Sequence, residues 1–260
     1  MRVKWSQNFL IDKNIARKSV DALSLTSNDN VLEIGPGKGI LTAELLKVAK
    51  TVAAVEIDPT LSIYLTNHLK DFHQFNLIQK DFLDFSVEDL KVFHGESFKV
   101  IGNLPYAIVS AAIQQILALP QWSTAVLMVQ KEVADRILAQ KGVKEYGILS
   151  IAVQSQSVVR KLCSVSRFCF RPQPNVESTC LQFFPLETPV WDKKDEKKFF
   201  TVVRAAFAQR RKTILNSLKA KLDIPIPKIK EALATCSIPE SARAETLAIK
   251  DFVCLSEKIL

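Results

Sequence analysis

Asn103-Leu104-Pro105-Tyr106 is the stretch of this chain best equipped for chemistry on a flat ring that bears an amino group. An apolar run from Phe98 to Ile101 predicts a strand, which puts Asn103 at its carboxyl end, where open α/β sheets bind ligands. Pro105 fixes its own φ and biases Leu104 toward an extended conformation, so the Asn103 side chain and a neighbouring carbonyl can be aimed at one point. Tyr106 adds a flat face suited to stacking. Two acceptors beside an aromatic plate suit the amino group of a nucleobase. Taken alone, the tetrapeptide reads equally well as a turn without chemistry.

The elements that must position it lie upstream. Asn30 to Ile34 reads as a buried strand, broken by Gly35-Pro36-Gly37-Lys38-Gly39 and followed by a helix through Leu41, Leu45 and Leu46. Glycines there let backbone approach a ligand closely, as loops for nucleotide-type cofactors require. A second strand, Thr51 to Ile57, ends in Glu56-Ile57-Asp58, and Glu56 lies 21 residues after Gly35, near the spacing of about 20 at which an acid grips ribose hydroxyls. The turn departs from a dinucleotide fingerprint, with Ile40 at the final glycine position, and lacks the Gly-Lys-Ser/Thr ending of a P-loop.

Acids recur at the predicted strand ends: Glu33, Glu56, Asp58, and Asp81 after a strand over Phe75 to Gln79. Any one of them alone is an ordinary solvated loop residue. Four round one crevice would repel a pyrophosphate and attract a cation. S-adenosylmethionine fits that demand, since it carries a sulfonium together with ribose and adenine, and Asp81 is placed to accept from the adenine amino group.

Composition narrows the setting. The 260 residues are 48% hydrophobic and 24% charged, which predicts one large domain plus a small one. No apolar run is long enough to span a membrane, and Lys4 and Asp12 interrupt the place where a signal peptide would be apolar, so a cytoplasmic protein with no membrane partner is expected. Cysteines at 163, 169, 180, 236 and 254 signal neither a disulfide framework nor a zinc site, and His68, His73 and His94 lack metal spacing, so no metal is expected. The formal charge is +8, and residues 186–260 hold 15 Lys and Arg against 10 Asp and Glu. A basic appendage on a nearly neutral domain points to a polyanion, most simply nucleic acid, although solubility alone would also account for it.

Several motifs then occur in one order. Gln7-Asn8-Phe9-Leu10, the run from Glu33 to Thr42, Glu56-Ile57-Asp58, Asp81-Phe82, Gly102 to Tyr106 and Gln130-Lys131-Glu132-Val133 are followed by Phe170 to Ser178, Phe207 to Lys212 and Arg243 to Leu247. Together they resemble the ribosomal RNA adenine dimethyltransferases over almost the whole chain. Ser6, where that family usually has glycine, and the run Ala107 to Ser110 depart from the pattern. The resemblance implies a class I, Rossmann-like methyltransferase: an α/β fold with a mostly parallel seven-stranded sheet over residues 1–185 and a small α-helical RNA-binding domain over 186–260. It places Gln7, Asn8, Leu10, Gly35, Gly37, Glu56, Ile57, Asp81, Phe82 and Asn103 at S-adenosylmethionine, and Asn103, Leu104, Pro105, Tyr106 and Phe170 at the reacting base.

In the carboxyl-terminal part, Phe199, Val203, Phe207, Ile214 and Leu218 read as the apolar stripe of one helix, with Arg204, Arg210, Arg211 and Lys212 on other faces, expected to meet phosphates. By the same resemblance the substrate is a pair of adjacent adenosines in a hairpin loop near the 3′ end of small-subunit ribosomal RNA, modified on N6 by a monomer during ribosome assembly. Tyr106 and Phe170 would hold the unstacked adenine from two sides. Large-subunit adenine methylation of the macrolide-resistance type, a non-catalytic assembly or transcription factor, and, more weakly, DNA adenine methylation are the alternatives.

Overall fold

The computed structural model describes residues 8–192, 195–209 and 211–260. The chain runs β1 (Phe9–Leu10), α1 (Lys13–Asp21), β2 (Asn30–Ile34), α2 (Ile40–Leu45), β3 (Thr51–Glu56), α3 (Pro59–Leu69), β4 (Phe75–Gln79), β5 (Phe98–Asn103), α4 (Val109–Ala118) and β6 (Trp122–Gln130). It continues through α5 (Lys131–Leu138), α6 (Ile148–Gln154), β7 (Ser157–Val165), β8 (Phe170–Arg171), β9 (Ser178–Pro185), α7 (Glu196–Phe207), α8 (Ile214–Lys221), α9 (Ile226–Thr235) and α10 (Ile249–Ile259). These elements fold as two compact units: residues up to Ala134 with Val159–Pro185, and Asp135–Val158 with Leu186–Leu260.

The first unit is built on a seven-stranded sheet of order β4-β3-β2-β5-β6-β9-β7. Strands β4, β3, β2, β5 and β6 are parallel, and β9 runs antiparallel to β6. Parallel strands covered on both faces are mostly apolar, and β2 is buried at all five positions, Asn30 and Glu33 included. The register brings the carboxyl ends level: Ile34 faces Val55 on one side and Gly102 on the other, while Glu56 faces Gln79 and Asn103 faces Met128. A Cβ on Gly102 would sit 2.8 Å from the Ile34 carbonyl, so only glycine lets β2 and β5 close at this point. Beside the sheet, β1 and β8 form a two-stranded antiparallel ribbon, with Phe9 opposite Arg171 and Leu10 opposite Phe170.

Helix starts follow capping chemistry. Asp12 accepts from the N–H groups of Asn14 and Ile15 at the start of α1, and Asp58 accepts from Thr60 ahead of Pro59 at the start of α3.

The second unit has its own core, in which Phe199, Ile214, Leu218, Ile229, Leu233 and Phe252 are fully buried and Trp191 stacks on Phe199 at 4.6 Å between ring centroids. The single helix expected from Phe199 to Leu218 is two helices. α7 ends at Phe207, and Thr213, in an extended conformation, accepts from the Asn216 N–H to open α8. The apolar stripe survives because Ile214 and Leu218 re-enter the same core from a new axis. α6, also in this unit, has a seven-residue span too short to announce itself by periodicity. The cysteines give a second departure: Cys236, at the end of α9, and Cys254, in α10, are joined as a disulfide with Cα atoms 5.9 Å apart. They lie 18 positions apart and no motif marks the pair, so only the packing of the two helices reveals it. Among the described residues no helix is long and apolar enough to cross a membrane.

Candidate active site

The carboxyl ends of β2, β3 and β5 open onto a cavity of about 200 Å³ in the first unit. Asn8, Phe9, Gly35, Gly37, Glu56, Ile57, Asp81, Phe82 and the run Asn103 to Ile108 line it, with Ile34, Val55, Leu61 and Lys80. Asn103 is the last residue of β5. Its Nδ2 donates to the Asn8 carbonyl at 3.0 Å, which fixes the orientation of the amide and leaves Oδ1 as an acceptor. The Leu104 N–H donates to the Met128 carbonyl at 3.1 Å, locking the peptide that follows. The Tyr106 hydroxyl is withdrawn from solvent and meets no hydrogen-bond partner among the described residues. A buried polar atom left unpaired at a cavity wall is a place for a ligand.

Glu56 organises the glycine turn. Its Oε2 accepts from the Gly37 N–H at 3.2 Å and its Oε1 from the Asp58 N–H at 2.9 Å. Burial pushes its carboxyl above the ordinary value; those two N–H donors oppose the rise, and the charge of Asp58 adds to it. Gly37 has φ +59°, which favours glycine, and a Cβ there would press on the Phe9 ring at 3.0 Å, so the turn and β1 are closely fitted. Asp81 spends Oδ1 on the Leu83 N–H at 2.9 Å, while Oδ2 has no partner among the described residues.

Two of the four acids expected round the crevice are there, Glu56 and Asp81. Asp58 turns to cap α3, and Glu33 points into the sheet's packing, fully buried. Leu10 and Phe170 do not line the cavity. They oppose each other in the β1–β8 ribbon and are both buried, in an apolar cluster with Val126 and Met128. Leu10 borders a smaller recess on the other side of the glycine turn, lined also by Phe9, Lys38 and Asn103. Gln7 and Arg210 lie outside the described residues. Arg204, Arg211 and Lys212 are exposed in the second unit. Phe9 is a cavity residue that lies within one of the sequence motifs but was not assigned to the site, yet strand alternation marks it: if Leu10 faces the core, Phe9 must face the cavity.

A family model described as "Ribosomal RNA adenine dimethylase" matches residues 1–259. The chain belongs to that family. Among its relatives, the ribosomal RNA small subunit methyltransferase A of Clostridioides difficile (strain 630) is 40% identical over 257 residues, covering 97% of this chain and 89% of the relative. The enzyme of the same name from Bacillus mycoides (strain KBAB4) is 41% identical over 263 residues, covering 98% and 89%. Of solved structures, a dimethyladenosine transferase from Plasmodium falciparum superposes with a TM-score of 0.80 at 28% identity, covering 95% of each chain. The 23S rRNA methyltransferase ErmE superposes with a TM-score of 0.70, also at 28% identity, covering 97% of this chain and 99% of its own.

For an adenine dimethylase, the donor set of the cavity fits S-adenosylmethionine. Glu56 presents its carboxyl beside a turn whose glycines hold positive φ, Asp81 holds a free acceptor oxygen, and Ile57 and Phe82 supply apolar walls for a flat ring.

Proposed function

We propose that this chain dimethylates N6 of adenosine in small-subunit ribosomal RNA, with S-adenosylmethionine as methyl donor, and that its target is the pair of adjacent adenosines in the 3′-terminal hairpin loop, modified while the subunit assembles. The observation that carries the reading is the Asn103 amide, oriented by Asn8 at the mouth of an acid-bearing cavity in a chain of the adenine dimethylase family. Glu56, Gly35, Gly37, Ile57, Asp81, Phe82 and Asn8 would hold the cofactor, next to the Asn103 amide. When bound, it supplies an electrophilic methyl on a sulfonium.

Adenine N6 is a weak nucleophile because its lone pair is delocalised into the ring. Asn103 Oδ1 and the Leu104 carbonyl accept from its two protons, which favours a pyramidal nitrogen with a localised pair. Neither oxygen accepts from a described residue, so both remain available. No ionised base is needed, since the proton is lost after the nitrogen becomes cationic; positioning and charge stabilisation do the work. Tyr106, which lines the cavity, stacks on the extruded base. Arg204, Arg210, Arg211 and Lys212 would contact RNA phosphates from the helical domain, residues 186–260. The protein works as a monomer in the cytoplasm.

The test is methyl transfer to immature small subunits, followed by mapping of modified positions. Dimethyladenosine at two adjacent loop positions is expected. A preference for protein-free large-subunit RNA would transfer the reading to the activity named for ErmE, and no transfer to any RNA would sink it.

A further inference from the structure

Phe168 is the most solvent-exposed of the exposed large apolar side chains described, at 68%, and nothing in the catalytic reading uses it. It sits in the 3-10 turn Arg167–Cys169, which links β7 to β8. The turn does not need this ring to hold its shape. Its backbone is capped by the Ser166 hydroxyl, the Arg167 N–H donates to the Glu177 carboxylate at 2.9 Å, and the next phenylalanine, Phe170, is the one that enters the core. A single exposed apolar ring is ordinary on a protein surface, so what sets this one apart must come from the groups around it.

Its surroundings say which. The Arg167 guanidinium lies over the ring, 5.4 Å from its centroid. Arg171, three residues on, is exposed; so are Lys13, next to the Asp12 that meets Cys169, Ile11, whose N–H meets the Cys169 carbonyl, and Val176, next to the Glu177 that meets Arg167. The two acids of this region are engaged internally: Asp12 caps α1 and also accepts from the Cys169 thiol, and Glu177 holds the Arg167 N–H. An aromatic plate with a cation at its back and free cations round it suits a stacked nucleobase with its phosphates, and suits a hydrocarbon surface poorly.

The turn is also stitched to the site. The Ile11 N–H donates to the Cys169 carbonyl at 2.8 Å, continuing the ribbon in which Phe9 opposes Arg171 and Leu10 opposes Phe170. Asn8 and Phe9 line the cavity, so Ile11 and the Phe168 turn begin roughly 7–10 Å further along an extended strand, a distance a neighbouring nucleotide can span. We infer that Phe168, backed by Arg167, is a stacking platform for an unpaired RNA base flanking the adenosine that enters the cavity. The inference rests on the RNA reading above and adds a second, non-reacting base contact to it.

Phe168→Ala and Phe168→Trp variants test it. Kinetics on immature small subunits should show the KM for RNA raised about 5- to 100-fold in Phe168→Ala, the range lost with one stacked base. Its kcat and calorimetric affinity for S-adenosylmethionine should be unchanged. Phe168→Trp should restore KM, and its additional fluorescence over wild type should be quenched when a protein-free hairpin RNA with two adjacent loop adenosines is added. A KM for Phe168→Ala within twofold of wild type overturns the platform. So does an absent quench at hairpin concentrations where binding is seen by an independent method, which would assign any KM effect to something other than base stacking. Either result with an active wild type leaves the methyltransferase reading standing, whereas an inactive wild type removes the reading itself.

Discussion

The Asn103 amide nitrogen donates to the Asn8 carbonyl, 95 residues away in sequence, at 3.0 Å. A segment ahead of β1 therefore decides which end of the amide faces the cavity. Asn103→Ala should lower the rate of transfer by at least 10²- to 10³-fold, the scale of losing one oriented transition-state partner, while calorimetric binding of S-adenosylmethionine persists. Asn103→Asp should be no milder, because a carboxylate oxygen replaces the donor and confronts the Asn8 carbonyl. Loss of cofactor binding in Asn103→Ala would refute the assignment of this side chain to the base.

Glu56 ties Gly37 to the start of α3 through two backbone N–H groups, so its removal should be felt as cofactor affinity. Glu56→Ala is expected to raise the Kd for S-adenosylmethionine by about 10- to 100-fold, as for loss of a hydrogen bond to a charged group. Glu56→Gln keeps one acceptor and should fall between. Titration calorimetry checks both, and an unchanged Kd would mean the carboxylate serves the turn alone.

Glu33 gives a pH dependence whose sign can be worked out. Burial pushes its carboxyl up to about 8, against an ordinary value of 4.5; Thr42 opposes the rise and the charge of Glu56 adds to it. Between those values the folded protein holds a proton that the unfolded chain releases, so this contribution to stability falls as pH rises from about 4.5 to 8 and is flat above. Glu33→Gln cannot titrate. Its stability relative to wild type should climb through that window by up to a few kcal/mol and then level off. Urea unfolding at several pH values measures the gap, and a pH-independent gap would show Glu33 ionised throughout.

Much of this was legible in the order of residues alone. β2 over Asn30 to Ile34 and β4 over Phe75 to Gln79 lie where short runs with apolar residues between turn residues put them, and β2, buried at every position, shows the signal most clearly. The glycine turn, Glu56, Asp81 and the Asn103 turn could be placed on one crevice for the same reason: parallel register makes strand ends neighbours. What sequence could not give was direction. Glu33, Glu56 and Asp58 follow similar short patterns, yet one is buried, one lines the cavity and one caps a helix, and only tertiary packing separates them. The family resemblance put Phe170 at the reacting base; pairing with Leu10 instead carries it into the core. The break between α7 and α8 was hidden because the apolar spacing continues across it.

Gly102 offers a last test, one that separates the geometry of the strand end from its chemistry. It precedes Asn103 and pairs with Ile34, whose carbonyl would lie 2.8 Å from an added Cβ, with the Ile34 Cβ itself at 3.1 Å. Backbone cannot swing aside as a flexible side chain can, so Gly102→Ala must separate β2 from β5 or displace the Asn103 turn. The expected cost is about 1–3 kcal/mol of stability, in the range of overpacked cores. Because Asn103 and Leu104 ride on the displaced segment, kcat should fall more than tenfold at a temperature where circular dichroism shows the variant fully folded, since a misplacement of about 1 Å can cost around 10²-fold. Normal kcat in a folded, destabilised variant would mean that the amide finds its orientation through Asn8 alone.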